Sequence, residues 1–149
     1  MTDKQAENKA IEILLQKGCT AVGNLNTIDQ YSTYDISGLT DEKIPFVAEV
    51  KNRDIPHDKY GDVFCDEEKI RKFQKDDNYQ KMLVFNFYSD GYYAVANPIK
   101  DGYTVQRRKC PRTTRFGNQG TEWQLTASMK QKHLKKYTTE NTGFKLVVN

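Results

Sequence analysis

Two carboxylates and a lysine stand out by the company they keep. Glu49 and Lys51 lie in the run Pro45-Phe46-Val47-Ala48-Glu49-Val50-Lys51-Asn52, whose apolar content reads as a buried strand. Successive strand side chains alternate between faces, so Glu49 and Lys51 project together while Phe46, Ala48 and Val50 project the other way. Burying either charge without a partner is costly, and a metal ion or a phosphate would supply one. Upstream, Asp35 occupies a second strand-like run, Tyr31-Ser32-Thr33-Tyr34-Asp35-Ile36-Ser37. Hard oxygen donors from two adjacent strands, with a lysine beside them, are what divalent-metal-assisted hydrolysis requires. A plain salt bridge at a sheet edge is the competing reading of the same residues.

These residues must be held by a small frame. The chain has 149 residues, enough for one domain with a single core, and we take 1–149 as that domain. Only 37% of residues are apolar, yet nine Tyr and seven Phe supply core bulk. Residues 3–17 carry apolar side chains at helical spacing, with Thr2 or Asp3 to cap the start and Gly18 to end it. Cys19–Asn24 reads as a short strand. Residues 30–39 and 45–52 form an expected hairpin across Thr40-Asp41-Glu42-Lys43, and Val63-Phe64-Cys65 an edge strand. A second helix is expected from Asp66 to about Asp76, acidic at its start. Residues 81–88 and 92–96 flank Ser89-Asp90-Gly91, and Asp-Gly is a strong hairpin signal. Further strands are expected at 103–109 and 121–126, an extended basic loop at 110–117, and a short basic helix at about 127–136. The order α-β-β-β-α-β-β, followed by strands and a short helix, predicts an α/β (α+β) domain with a mixed sheet flanked by helices.

Charge divides along the chain. Residues 1–102 hold 13 Lys/Arg against 18 Asp/Glu, whereas residues 103–149 hold 10 against 2. Such segregation suggests a polyanion-binding surface beside an acidic, cation-binding one, although basic tails are often merely solvated. Arg107, Arg108, Lys109, Arg112 and Arg115 interleave with Thr113, Thr114 and Phe116, a pattern suited to phosphate contacts and base stacking; a solubilised sheet edge would read alike. Cys19, Cys65 and Cys110 are odd in number and scattered, which argues against a disulfide framework, and no zinc spacing is present. No signal peptide and no bilayer-length apolar run are seen, so the expectation is a cytoplasmic protein with no membrane contact.

The order helix, strand, strand with Asp, strand with Glu-x-Lys, helix, strand resembles the PD-(D/E)XK nuclease superfamily over residues 3 to about 96. The resemblance implies a restriction-endonuclease-like core and Mg²⁺- or Mn²⁺-dependent hydrolysis of phosphodiester bonds, with DNA, or RNA, as the partner. By that resemblance Asp35 and Glu49 are metal ligands and Lys51 the motif lysine, and the Val50 carbonyl is an extra ligand. In the resolvase-like branch a glutamate on the first helix also approaches the metal. Glu7 matches that place best, with Glu12 in reserve. One departure is that Tyr34, not proline, precedes Asp35. Asp/Glu-x-Lys recurs at Glu7-Asn8-Lys9, Asp41-Glu42-Lys43 and Glu67-Glu68-Lys69, where solvated helix or turn faces explain it. Arg53, farther along the Glu49/Lys51 strand, could hold a neighbouring phosphate or pair with Asp54 or Glu42. A homodimer is expected only by analogy with duplex-cutting enzymes.

His57 and His133 have no ligand-spaced partners in sequence and read as surface or capping residues, and Trp123 reads as core. Besides a metal-dependent deoxyribonuclease of the phage or mobile-element kind, two functions fit. One is a non-catalytic nucleic-acid-binding module on the same fold, the other a small α+β protein-interaction domain.

Overall fold

A computed structural model describes residues 1–25, 32–114, 117–140 and 143–147; within 110–114, 117–122, 138–140 and 143–147 it describes the backbone alone. The fold is mixed α/β. Helix α1 (Asp3–Gln16) leads into strands β1 (Thr20–Asn24), β2 (Ile36–Leu39), β3 (Pro45–Arg53) and β4 (Asp62–Asp66). Helix α2 (Glu67–Gln74), β5 (Lys81–Tyr88), β6 (Tyr92–Ala96) and the single turn α3 (Pro98–Asp101) follow. The chain then runs through β7 (Thr104–Thr114), β8 (Gly117–Lys130), β9 (Lys135–Glu140) and β10 (Gly143–Val147).

Helix α1 starts as its sequence directs. Thr2 Oγ1 accepts from Gln5 N and Gln5 Oε1 accepts from Thr2 N, at 3.1 and 2.8 Å, so two of the donors a helix start leaves unpaired are satisfied. Gly18 takes φ +89° and lets the Cys19 N–H close back on Leu14 O. Between these ends Ala6, Ala10, Ile13 and Leu14 form the buried stripe.

That stripe lies on a seven-stranded sheet of order β1-β2-β3-β5-β6-β9-β10. The β3–β5 pair is parallel and every other pair in the sheet antiparallel. The parallel pair is reached through β4 and α2, a crossover that leaves both faces of β3 covered. One face carries Phe46, Ala48, Val50, Phe85 and Phe87 against α1. The other carries Val47, Met82 and Val84 against Ile70 and Phe73 of α2, and against Val63, Cys65, Ala127 and Met129. Each fully buried Phe contributes about 1.5–3 kcal/mol. The last four residues belong to a smaller antiparallel sheet of order β4-β8-β7.

Gly38 stands opposite Phe46 across the β2–β3 pair. A Cβ there would lie 2.9 Å from two ring atoms of Phe46, itself 0% exposed, and 3.2 Å from Thr20 O. Gly38→Ala is therefore expected to cost about 1–3 kcal/mol as an overpacked core position, read as a lower urea midpoint at unchanged slope.

Three expectations are corrected. Residues 127–136 are no helix: β8 runs on to Lys130 and β9 begins at Lys135. Ala127 and Met129 are buried while Lys130 is exposed, because this stretch pairs with β4. The basic loop at 110–117 is mostly strand, since the backbones of β7 and β8 extend into it. Trp123 is no core residue, being 60% exposed on the part of β8 that projects past the core. The expected strand start at residues 30 and 31 lies outside the described residues. Among the described residues no helix is long and apolar enough to cross a membrane.

Candidate metal and nucleic-acid site

Glu49 is 1% exposed, in the middle of β3 and on its α2-covered face. Lys51 Nζ lies 3.3 Å from Glu49 Oε1 and Lys69 Nζ lies 3.2 Å from Oε2, so each carboxylate oxygen faces one ammonium. Burial pushes the Glu49 carboxyl above its usual range, the nearby Asp35 charge adds to this, and the two lysines oppose it. Lys69 is fixed from its other side by the Thr33 carbonyl, which accepts from Nζ at 2.6 Å. Glu67-Glu68-Lys69 reads locally as a solvated helix start. Only the tertiary placement of α2, whose Ile70 and Phe73 pack under β3 and β5, brings Lys69 over Glu49.

Asp35 sits immediately before β2 rather than within it. Its backbone is held on both sides, N–H to Ala48 O at 3.2 Å and C=O from Leu25 N at 2.9 Å. Its Oδ2 accepts the Val50 N–H at 2.8 Å, which folds the carboxylate across the strand that carries Glu49. The Val50 side chain points into the α1-side core. Glu7 belongs to the opposite face from Glu49. It accepts from Asn24 Nδ2, and Asn24 stands in register with Ile36, the residue after Asp35. The structure thus ties Glu7 to the Asp35 end of β2 through β1.

Beyond Lys51 the strand ends in a cleft of about 460 Å³ lined by Lys51, Arg53, Tyr60, Phe64, Arg108 and Lys109, among others. Arg53 does not pair with Asp54 or Glu42 there. Its Nη2 donates to Phe64 O, its Nε to Asn86 Oδ1 at 3.3 Å, and its guanidinium lies 3.7 Å from the Phe64 ring centre. Arg108 Nη2 donates to Asp62 Oδ2 at 2.6 Å, and its guanidinium lies 4.5 Å from the same ring. Ser128 Oγ donates to that Asp62 oxygen as well. Both arginines therefore shape the wall, while Lys109 is exposed on it. Arg107 is exposed, 5.6 Å from the Trp123 ring centre, a cation–aromatic pair on open surface. The Arg112 side chain and Arg115 lie outside the described residues.

His57 is not isolated. Its Nδ1 is 2.6 Å from Asp90 Oδ2, and its ring lies 4.2 Å from Tyr92. The partners are 33 positions apart, beyond any local spacing rule. With Asp58, their ligand atoms fall within 4.8 Å of one another, but Asp58 and Asp90 are exposed and the His57–Asp90 pair already accounts for the contact.

Asp35 and Glu49 are fit to hold a hard divalent cation. They supply hard oxygen donors of the kind such an ion takes, the Asp35 charge acting on the buried Glu49 carboxyl, and each Glu49 oxygen also faces one ammonium. No protein-family model, no characterised protein and no solved structure matches the chain.

Proposed function

We propose that this protein is a divalent-metal-dependent nuclease acting on DNA. The observation that carries the reading is the placement of Lys51. It contacts the buried Glu49 on one side and lines a basic cleft on the other. In this reading Asp35 and Glu49 hold Mg²⁺ or Mn²⁺ with the Val50 carbonyl in support, while Glu7, on the opposite face, acts only through its tie to the Asp35 end of β2. Bound there, the ion would lower the pKa of a water and offset charge on the phosphoryl group under attack. Lys51, 38% exposed, orients that water and stabilises charge on the phosphate oxygens. Arg53 and Arg108 keep the cleft open and positive, and Lys109 meets flanking phosphates. The Arg107–Trp123 pair offers unstacked bases a platform.

Supercoiled plasmid and single-stranded DNA, incubated with Mg²⁺, Mn²⁺ or EDTA, test the reading. Metal-dependent nicking or degradation is expected. Intact DNA of both forms with both metals would overturn it.

The two kinds of basic residue should separate. In Asp35→Ala protein, which cannot cut, Arg107→Gln/Lys109→Gln is expected to weaken DNA binding and to lower the slope of log K against log salt by about 1–2. Arg108→Gln should instead destabilise the fold by about 2 kcal/mol, because it strips the cationic partner from a mostly buried Asp62 and leaves its charge to the Ser128 hydroxyl. Fluorescence anisotropy and urea unfolding check the pair. An unchanged salt slope in the double variant would remove Arg107 and Lys109 from the interface.

A further inference from the structure

A second cationic cleft, of about 480 Å³, lies at the other end of the sheet. Five lysines line it: Lys17 just past α1, Lys81 opening β5, Lys100 in α3, Lys132 before β9, and Lys135 opening β9. Against them stands Asp101, whose Oδ2 already accepts the Asn97 N–H at 3.1 Å. None of the five lysines lies within 4.0 Å of a carboxylate among the described residues.

Several of these charges are close enough to oppose one another. Crowding by surrounding atoms first, then the Lys135 and Lys81 charges, hold the Lys17 ammonium below its usual value, with the Cys19 thiol group opposing. Concentrating like charge in a concavity costs folding free energy unless a counter-ion occupies it. A purely solvated lysine face would spread its charges over convex surface. A second observation comes from the wall. Tyr93, 1% exposed, lines this cleft with Leu83 and Val95, and its buried hydroxyl has no hydrogen-bond partner among the described residues. A ligand that accepts from this hydroxyl would satisfy a donor that is otherwise left unpaired.

The place is distinct from the proposed nuclease site. Lys81 is in register with Phe46 at the start of β3, whereas Lys51 is in register with Asn86, about 16 Å farther along the strands. Leu83, Tyr93 and Val95 belong to the α1-side core, the face opposite Glu49.

We propose that this cleft is a binding site for phosphate groups, with Lys17, Lys81 and Lys135 as the cationic ligands and the Tyr93 hydroxyl as a neutral donor. Lysine ammonium groups are flexible point charges with three donors each, suited to a cluster of phosphate oxygens. The apolar wall of Leu83, Tyr93 and Val95 fits the uncharged remainder of a nucleotide or a sugar-phosphate backbone.

Tripolyphosphate and a labelled single-stranded oligonucleotide are the probes, titrated against protein carrying Arg107→Gln/Lys109→Gln so that the proposed nucleic-acid surface around Trp123 and Lys109 contributes less. Adding Lys17→Gln/Lys81→Gln/Lys135→Gln is expected to weaken binding at least tenfold. Tyr93→Phe should weaken it several-fold. Tripolyphosphate should raise the melting temperature of the parent and not of the triple variant. Without ligand and at low salt the triple variant should melt no lower than its parent, since it loses repulsion rather than contacts. Lost affinity for the oligonucleotide, alone or with tripolyphosphate, supports the site and assigns its phosphates to a nucleic-acid backbone. Lost affinity for tripolyphosphate alone supports it and assigns them to a free phosphate compound. No binding of either probe by the parent, or equal binding by parent and triple variant, overturns the proposal. The readout is binding, so a failed cleavage assay leaves it interpretable.

Discussion

Glu49→Gln is expected to abolish metal-dependent cleavage, by about 10³-fold or more, while making the protein more stable at neutral pH. The first effect follows from the proposed ligand role: about 4 kcal/mol of transition-state stabilisation is lost with the ion. The second follows from burial. The Glu49 carboxyl is held above its usual range when folded, so the folded chain keeps the proton to higher pH than the unfolded chain does. Ionisation then opposes folding. The penalty is absent below the ordinary carboxylate range, grows as pH rises to the folded value, and is constant above it. Glutamine carries no such penalty, so the stability difference between variant and wild type should close as the pH falls through that window. Lys51 and Lys69, 38% and 27% exposed, can return to water when the carboxylate is gone. Mn²⁺ calorimetry, plasmid cleavage and thermal melts across pH read the three effects. A variant that cuts DNA at the wild-type rate would end the assignment.

Lys51→Ala should keep metal affinity within a few-fold and lose about 10²-fold in turnover at saturating Mn²⁺. Lys69→Ala should do less to turnover, although both lysines touch Glu49 at nearly the same distance. The difference lies in what each ammonium can reach. Lys51 opens onto the cleft, whereas Lys69 is bound back to the Thr33 carbonyl and holds Glu49 in place. Comparable losses in the two variants would show that the pair acts only by fixing the carboxylate.

The central strands were legible because two periods speak clearly in them. The two-residue alternation of Phe46 to Lys51 places Glu49 and Lys51 together, and the stripe of Ala6, Ala10, Ile13 and Leu14 places α1 on the other face. The Asp90-Gly91 turn, with Gly91 at φ +87°, announced the β5–β6 hairpin. Residues 127–136 misled because Ala127, Met129, Lys130 and Leu134 are good helix formers, and pairing with β4 overrides that weak preference. Trp123 misled for a different reason. Its size argues for burial, but β8 is 14 residues long and outruns the core it helps to cover. Lys69 and Asp90 were invisible as partners of Glu49 and His57, since those contacts span 20 and 33 positions and exist only once the sheet closes.

Strand β4 has a consequence for how the chain is made. It lies within the β3–β5 crossover, yet its ladder partner is β8, with Asp62 opposite Lys130 and Asp66 opposite Thr126. A ribosome that has finished β6 at Ala96 must still add all of β8 before that ladder can complete. At about 5–20 residues per second this is an interval of a few seconds. During it, Val63 and Cys65 lack the Ala127 and Met129 that cover them, and β4 presents an unpaired edge of the kind that draws other chains. Asp35, Glu49 and Lys51 are all synthesised by then, but the core beneath Glu49 is still open on one side. The basic β7–β8 hairpin is thus the late-arriving clasp of the fold, and nascent chains stalled between β6 and β8 are its point of greatest exposure to misassembly.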